Sequence, residues 1–313
     1  MGRAFVFPGQ GSQAVGMGKE LADAFVAARE VFQEVDDALG QNLSKIMFDG
    51  PGDDLTLTEN AQPALMAVSI AVLRTLEAEG GFDLTKSASL VAGHSLGEYS
   101  ALAAAGTFSL ADTARLLKIR GQAMQKAVPV GEGAMAAVLG LELADAEAVA
   151  EQASEGEVCD FANDNAPGQI VLSGATAAIE RAIDIAKERG AKRALLLPVS
   201  APFHCSLMAP AAEAMAEALG KVEMKDPLLP LVANVTAEKV DSVDVCRDLL
   251  VRQVTGRVRW RESVEYMKNQ GIETLVEIGT GKVLTGLTRR IDRELSGSAV
   301  GTPADIETFL ASL

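Results

Sequence analysis

The stretch SLVAGHSLGEYSALAAAG, residues 89–106, decides how the chain is read. Gly93-His94-Ser95-Leu96-Gly97 fits G-x-S-x-G, the elbow that lifts a nucleophilic serine onto a tight turn between a strand and a helix. The two glycines let the backbone turn where a Cβ would clash. A bare G-x-S-x-G arises often by chance, so its flanks must decide. ASLVAG before it is a short apolar run of strand character, and EYSALAAAG after it opens a helix, with Glu98 in the first turn where the helix dipole favours a negative charge. Strand, turn and helix are therefore in the order that the elbow requires.

If Ser95 is a nucleophile, a base must take its proton, and the composition narrows the choice. The 313 residues contain only two histidines, His94 and His204. So few histidines argue against a His-rich metal site, and we expect no metal. Neighbours around a sharp elbow point apart, so His94 is read as a packed or hydrogen-bonded residue. His204 lies in SAPFHCS, where the chain returns from an inserted unit to the main one, and it is the favoured base. Cys205 beside it is read as packing.

Outward from the elbow the rhythm is α/β. RAFVF is a buried strand running into a Gly-rich turn, followed by a helix carrying Leu21, Phe25, Ala28 and Phe32. LTENAQPALMAVSIAVLRTLEAEG is a long helix with Pro63 in its first turn and Gly80 at its stop. From residue 133 the order becomes strand (GAMAAVLGL), helix (LADAEAVAEQAS), strand (EVCDFAN), strand (QIVLSG), helix (ATAAIERAIDIAKERG), strand (KRALLLPVS). That βαββαβ order is ferredoxin-like. PLVANVTAEKV then reads as strand and turn, and TLVEIGTGKVLTGLTRRI as strand, Gly-turn and helix. The expected division is 1–130 with 200–313 as one α/β subdomain around a parallel sheet, interrupted by a smaller unit at 131–199.

Two further stretches carry chemistry. Gly9-Gln10-Gly11-Ser12-Gln13-Ala14 matches the G-x-G-x-x-G/A dinucleotide fingerprint. The acidic residues at the right distance, Asp36 and Asp37, fall on a helix rather than at a strand end, which weakens that reading. Beside an elbow, the same glycines can bring backbone N–H groups to a developing oxyanion, with the N–H of Leu96 as a second donor. Arg120, in LLKIRGQAMQKA, has apolar neighbours on its helix. It is either an ordinary ion-pairing arginine or a half-buried clamp for a substrate carboxylate.

The net charge of −15, from 28 Lys+Arg against 43 Asp+Glu, argues against nucleic acid or an anionic membrane as partner. No apolar run approaches the roughly 20 residues that span a bilayer. Three cysteines without a C-x-x-C, and no leader-like N-terminus, fit a reduced cytoplasmic enzyme.

FPGQGSQ, GHSLGEYSAL, RGQAMQ, NAPGQIVLSG, PFHCSLM, VANVTA and EIGTGKVLTGL together resemble, in order and over essentially the whole chain, the malonyl-CoA:acyl-carrier-protein transacylases. The resemblance implies an α/β-hydrolase-like subdomain interrupted by a ferredoxin-like one. It implies ping-pong transfer of malonyl from coenzyme A, a substrate rather than a cofactor, through Ser95 to the phosphopantetheine thiol of acyl carrier protein. It also implies a monomer serving fatty-acid synthesis, with polyketide synthesis as the other setting. Position by position, it assigns Ser95 as nucleophile and His204 as base. The backbone N–H groups of Gln10 and Leu96 become the oxyanion hole, Arg120 the partner of the malonyl carboxylate, and the backbone carbonyl of Gln253 the group that orients the histidine. Phe203 resembles the malonyl-selecting members. The carrier protein is acidic in this family, so a basic patch should receive it: Lys187, Arg189, Lys192 and Arg193, or Arg257, Arg259 and Arg261.

Overall fold

The computed structural model describes residues 2–313. Ten strands are formed: β1 (Gly2–Phe7), β2 (Leu90–Gly93), β3 (Gly133–Leu139), β4 (Cys159–Ala166), β5 (Gln169–Ala175), β6 (Arg193–Leu196), β7 (Leu231–Val232), β8 (Lys239–Val240), β9 (Ile272–Ile278) and β10 (Ser296–Val300). They make two sheets in a mixed α/β architecture. The six-stranded sheet runs β10-β9-β1-β2-β7-β8, parallel except for the final β7–β8 pair. The four-stranded sheet runs β4-β5-β3-β6 and is antiparallel throughout.

The larger sheet is buried on both faces, as expected where helices cover a parallel sheet. Phe5, Phe7 and Val91 point into one apolar cluster, while Ala4, Val6, Leu90 and Ala92 point into another. Helix Thr58–Gly80 lies against the first face and is buried almost without a break from Thr58 to Leu76. The smaller sheet packs Ala136, Val138, Phe161 and Leu172 against helices Leu143–Ser154 and Thr176–Glu188 in a core of its own.

Several sequence expectations are corrected. The helix through Leu21 and Phe32 is two helices, Lys19–Ala24 and Val26–Leu39, because Phe25 adopts an extended conformation between them. Pro63 sits at the sixth residue of its helix, past the first turn, so the Glu59 carbonyl loses its usual i+4 donor. KRALLLPVS pairs only over Arg193–Leu196, and residues 197–200 leave the sheet to line the main cavity. Strand β10 and helix Pro303–Leu310 went unread, although Thr302 and Asp305 form a capping box.

The parallel register positions the site. Phe7 lies beside Gly93, and Ala92 beside Val232. Chain leaving the carboxyl ends of three neighbouring strands therefore delivers Gln10, Ser95 and Asn234 to one edge, where open α/β sheets build their sites.

Candidate active site

Ser95 holds φ at 53°, in the left-handed region that a side chain normally avoids. A Cβ on Gly93 would strike the Gly97 backbone, and one on Gly97 would strike Phe7 O, so both elbow positions must be glycine. Three bonds hold the serine in this conformation. Its N–H donates to Asn234 Oδ1 (2.8 Å), its carbonyl accepts from Gln253 Nε2 (2.9 Å), and Asn234 Nδ2 donates to Gly93 O (2.7 Å). Strain of about 1–3 kcal/mol is sustained this way.

The elbow presents Ser95 Oγ 2.7 Å from His204 Nε2. On the other side of the ring, His204 Nδ1 lies 2.9 Å from the Gln253 carbonyl oxygen. A carbonyl can only accept, so the proton sits on Nδ1 and the Nε2 lone pair faces the serine hydroxyl. Burial, and then the nearby charge of Arg120, push the imidazole down to about 3, which keeps it neutral and able to accept a proton. Among the described residues no carboxylate completes a triad. His94 points away, with Nε2 2.8 Å from Asn165 Oδ1 and its ring against Trp260. Cys205 is buried, its Sγ donating to Pro202 O.

Arg120, on helix Leu110–Ala127, is only 1% exposed, more deeply buried than the half-buried clamp expected. Its Nη1 donates to Gln62 Oε1 (2.8 Å), and its Nη2 to Gln253 Oε1 (2.8 Å) and Ser95 Oγ (3.2 Å). The Nε has no partner. All of these acceptors are neutral, and among the described residues no carboxylate pairs with Arg120 directly. The guanidinium thus stands beside the nucleophile without a direct ionic partner, which suits an anionic group arriving with a substrate.

These residues face one cavity of about 730 Å³, lined by Gln10, Ser95, Leu96, Arg120, Phe203 and His204. The Gln10 side chain is fixed by Thr58 Oγ1 (2.8 Å), which also accepts from Gln62 Nε2 (3.2 Å). Neither the Gln10 nor the Leu96 backbone N–H has a partner among the described residues, so both are available to an oxyanion in the cavity. Gln253 reaches the site from helix Val243–Thr255 with both its carbonyl and its carboxamide in use. All six residues expected at the site are brought together. Sequence reading missed Thr58, Gln62 and Asn234 and gave Glu98 a lesser part; VANVTA and GHSLGEYSAL were the available signals for the last two.

The two basic clusters differ. Arg257 pairs with Glu147 (3.1 Å), Arg259 with Glu262, and Arg261 with buried Asp164 (2.7 Å). Lys187 meets exposed Asp184 (3.2 Å) and Arg189 meets Gln152 (2.9 Å), whereas Lys192 and Arg193 make no ion pair among the described residues. Among those residues no cluster of three or more His, Cys, Asp or Glu could hold a metal, and no helix is long and apolar enough to cross a membrane.

Residues 4–300 match the family model described as acyl transferase domain. The malonyl CoA-acyl carrier protein transacylase of Escherichia coli strain K12 is 48% identical over 307 residues, 98% of each chain. The crystal structure of an acyl-carrier-protein-S-malonyltransferase from Bartonella henselae superimposes with a TM-score of 0.98 at 59% identity, covering 100% of this chain and 99% of that one. A malonyl-transacylase solved in complex with a type II polyketide-synthase acyl-carrier protein is 44% identical, with a TM-score of 0.96 over 100% of both chains. With its elbow, dyad and buried arginine in one cavity, and a match over nearly its whole length, the chain belongs to the acyl transferase domain family.

Proposed function

We propose that this chain is a malonyl-CoA:acyl-carrier-protein transacylase working by ping-pong through a malonyl ester of Ser95. The observation that carries the reading is the contact set of one oxygen: Ser95 Oγ lies 2.7 Å from the base and 3.2 Å from a buried, charge-bearing arginine. His204 Nε2 removes the hydroxyl proton as Oγ attacks the thioester carbonyl. The resulting oxyanion takes the N–H groups of Gln10 and Leu96. Collapse breaks the C–S bond, and His204 returns the proton to the departing coenzyme A thiol. The phosphopantetheine thiol of acyl carrier protein then attacks the ester, losing its proton to His204, and Ser95 leaves with that proton. Arg120 pairs with the free malonyl carboxylate throughout, and the Gln253 carbonyl keeps the histidine in its working tautomer. Coenzyme A enters as a substrate thioester.

We read residues 1–130 with 200–313 as an α/β-hydrolase-like subdomain and 131–199 as a ferredoxin-like insert. Supporting this, the parallel sheet draws its strands from both outer segments, and the βαββαβ segment has its own antiparallel sheet and core. Intact-protein mass spectrometry after malonyl-CoA tests the function. A malonyl adduct on wild type, absent from Ser95→Ala and discharged onto holo acyl carrier protein, is the expected result. An adduct released to water at an undiminished rate with carrier protein present would instead make the chain a thioesterase.

A further inference from the structure

Glu98, in the first turn of helix Gly97–Ala104, is 0% exposed and lies beneath the nucleophile rather than at a solvated helix end. One carboxylate oxygen, Oε2, accepts from Gln253 Nε2 (2.7 Å) and from the Asn234 backbone N–H (3.1 Å), while Oε1 has no partner. The same Gln253 carboxamide puts its oxygen 2.8 Å from Arg120 Nη2. These contacts allow one orientation of the amide. Flipped, it would turn its NH₂ onto the guanidinium and its oxygen onto the carboxylate, opposing donor to donor and acceptor to acceptor.

We propose that Glu98 is a positioning residue for donor selectivity. By accepting from Gln253 Nε2 at 2.7 Å, beside the Ser95 carbonyl that accepts from the same nitrogen at 2.9 Å, it helps turn the Gln253 oxygen onto Arg120, which holds the guanidinium toward Ser95 while keeping the buried carboxylate one amide away from it. A carboxylate in direct contact with Arg120 would occupy the charge that the substrate needs, and the interposed amide prevents that contact. The titratable groups around Glu98 are Arg120, Tyr99 and Cys246. Burial pushes the Glu98 carboxyl up to about 7. A proton on the unpartnered Oε1 leaves Oε2 able to accept, so the anchor depends on the hydrogen bond rather than on the charge.

The inference rests on the malonyl-transfer reading, and its test separates the two. Rates of Ser95 acylation by malonyl-CoA and by acetyl-CoA are measured by intact mass on wild type, Glu98→Ala, Glu98→Gln and Gln253→Leu, with folding checked by circular dichroism. Glu98→Ala should lower the malonyl-to-acetyl ratio by about tenfold or more, since Arg120 loses a fixed acceptor. Glu98→Gln, which still offers an oxygen to Gln253, should recover most of that preference. Gln253→Leu, which keeps the backbone carbonyl for His204, should show the same fall in ratio. A merely structural role would depress both donors alike. An unchanged ratio in Glu98→Ala, or equal losses in Glu98→Ala and Glu98→Gln, would overturn the proposal. If Glu98→Ala does not fold, an unchanged ratio in Gln253→Leu overturns it and a lowered one with Glu98→Gln intact supports it. Wild type that forms no malonyl adduct removes the transfer reading itself, and the proposal with it.

Discussion

If Arg120 is the malonyl clamp proposed above, replacing it by alanine should abolish the preference for malonyl over acetyl. The guanidinium is 1% exposed and hydrogen-bonds only to neutral acceptors, so a malonyl carboxylate entering the cavity finds a charge without a direct ionic partner in a medium that screens it poorly. Truncating one partner of such a buried, hydrogen-bonded charge pair costs about 2–4 kcal/mol, or roughly 30- to 1,000-fold in rate. The substitution also strands Gln62 Oε1 and Gln253 Oε1, at about 1–3 kcal/mol each, which lowers stability. That second cost falls equally on malonyl-CoA and acetyl-CoA, and it cancels in the ratio of their kcat/KM values. The ratio therefore isolates the carboxylate contact. It should collapse by roughly 30- to 1,000-fold in Arg120→Ala, mostly through loss of the malonyl rate. Single-turnover acylation with each donor, followed by intact mass, measures it. A ratio within about threefold of wild type, less than 1 kcal/mol, would refute the clamp.

Two further outcomes are expected. His204 takes up a proton at about 3 in the folded protein and near 6.5 once unfolded. The unfolded state therefore binds more protons as pH falls through that window, and stability drops. Relative to His204→Asn, wild type should lose on the order of 2–3 kcal/mol between pH 7 and pH 4.5. Equal losses in urea melts of both proteins would contradict the neutral, buried imidazole. At the surface, Lys192→Glu with Arg193→Glu should raise the carrier-protein KM severalfold with little effect on loading from malonyl-CoA, because this cluster is less neutralised and β6 runs directly into cavity-lining residues 197–200. An unchanged KM would move carrier docking elsewhere, with the ion-paired Arg257, Arg259 and Arg261 as the other candidate.

The elbow was legible because its signal is local: two glycines, a preceding apolar strand and a following helix lie within one short stretch. The pairing of His204 with Ser95 was legible through scarcity, since a chain with two histidines offers few alternatives. Arg120 was only half legible. Its own helix does not say whether it is an ion-pairing surface arginine, and the family resemblance supplied the role. What stayed hidden is held by partners far apart in sequence. Asn234 supports the elbow from 139 positions away, and Gln62 meets Arg120 across 58. A lone asparagine or glutamine in an apolar frame gives no sign of which distant atom it serves. Glu98 is the opposite case: its place in a first helical turn satisfies a helix-dipole explanation, so nothing local points to its complete burial. The break at Phe25 and the late Pro63 show tertiary context overriding local pattern, which helical periodicity alone does not register.

Among the described residues His204 Nδ1 faces the Gln253 carbonyl rather than a carboxylate, an arrangement that the same electrostatics favours. A triad carboxylate would stabilise the imidazolium, yet it would also bring a second negative charge into the buried site that holds Arg120, which approaches the nucleophile oxygen to 3.2 Å. An acid in that position would compete with the incoming malonyl carboxylate for the one charge that distinguishes it from acetyl. The Gln253 carbonyl avoids the conflict, because it fixes the tautomer by accepting from Nδ1 and brings only a dipole. The cost is a weak base: burial first, and then the charge of Arg120, push the imidazole down to about 3. A thioester can bear that cost better than an amide, since its thiol leaves far more readily than an amine. On the proposed function, donor selectivity and the Ser95–His204 pair thus belong to one design: the site keeps direct carboxylates away from Arg120 and accepts a weak base for an activated substrate.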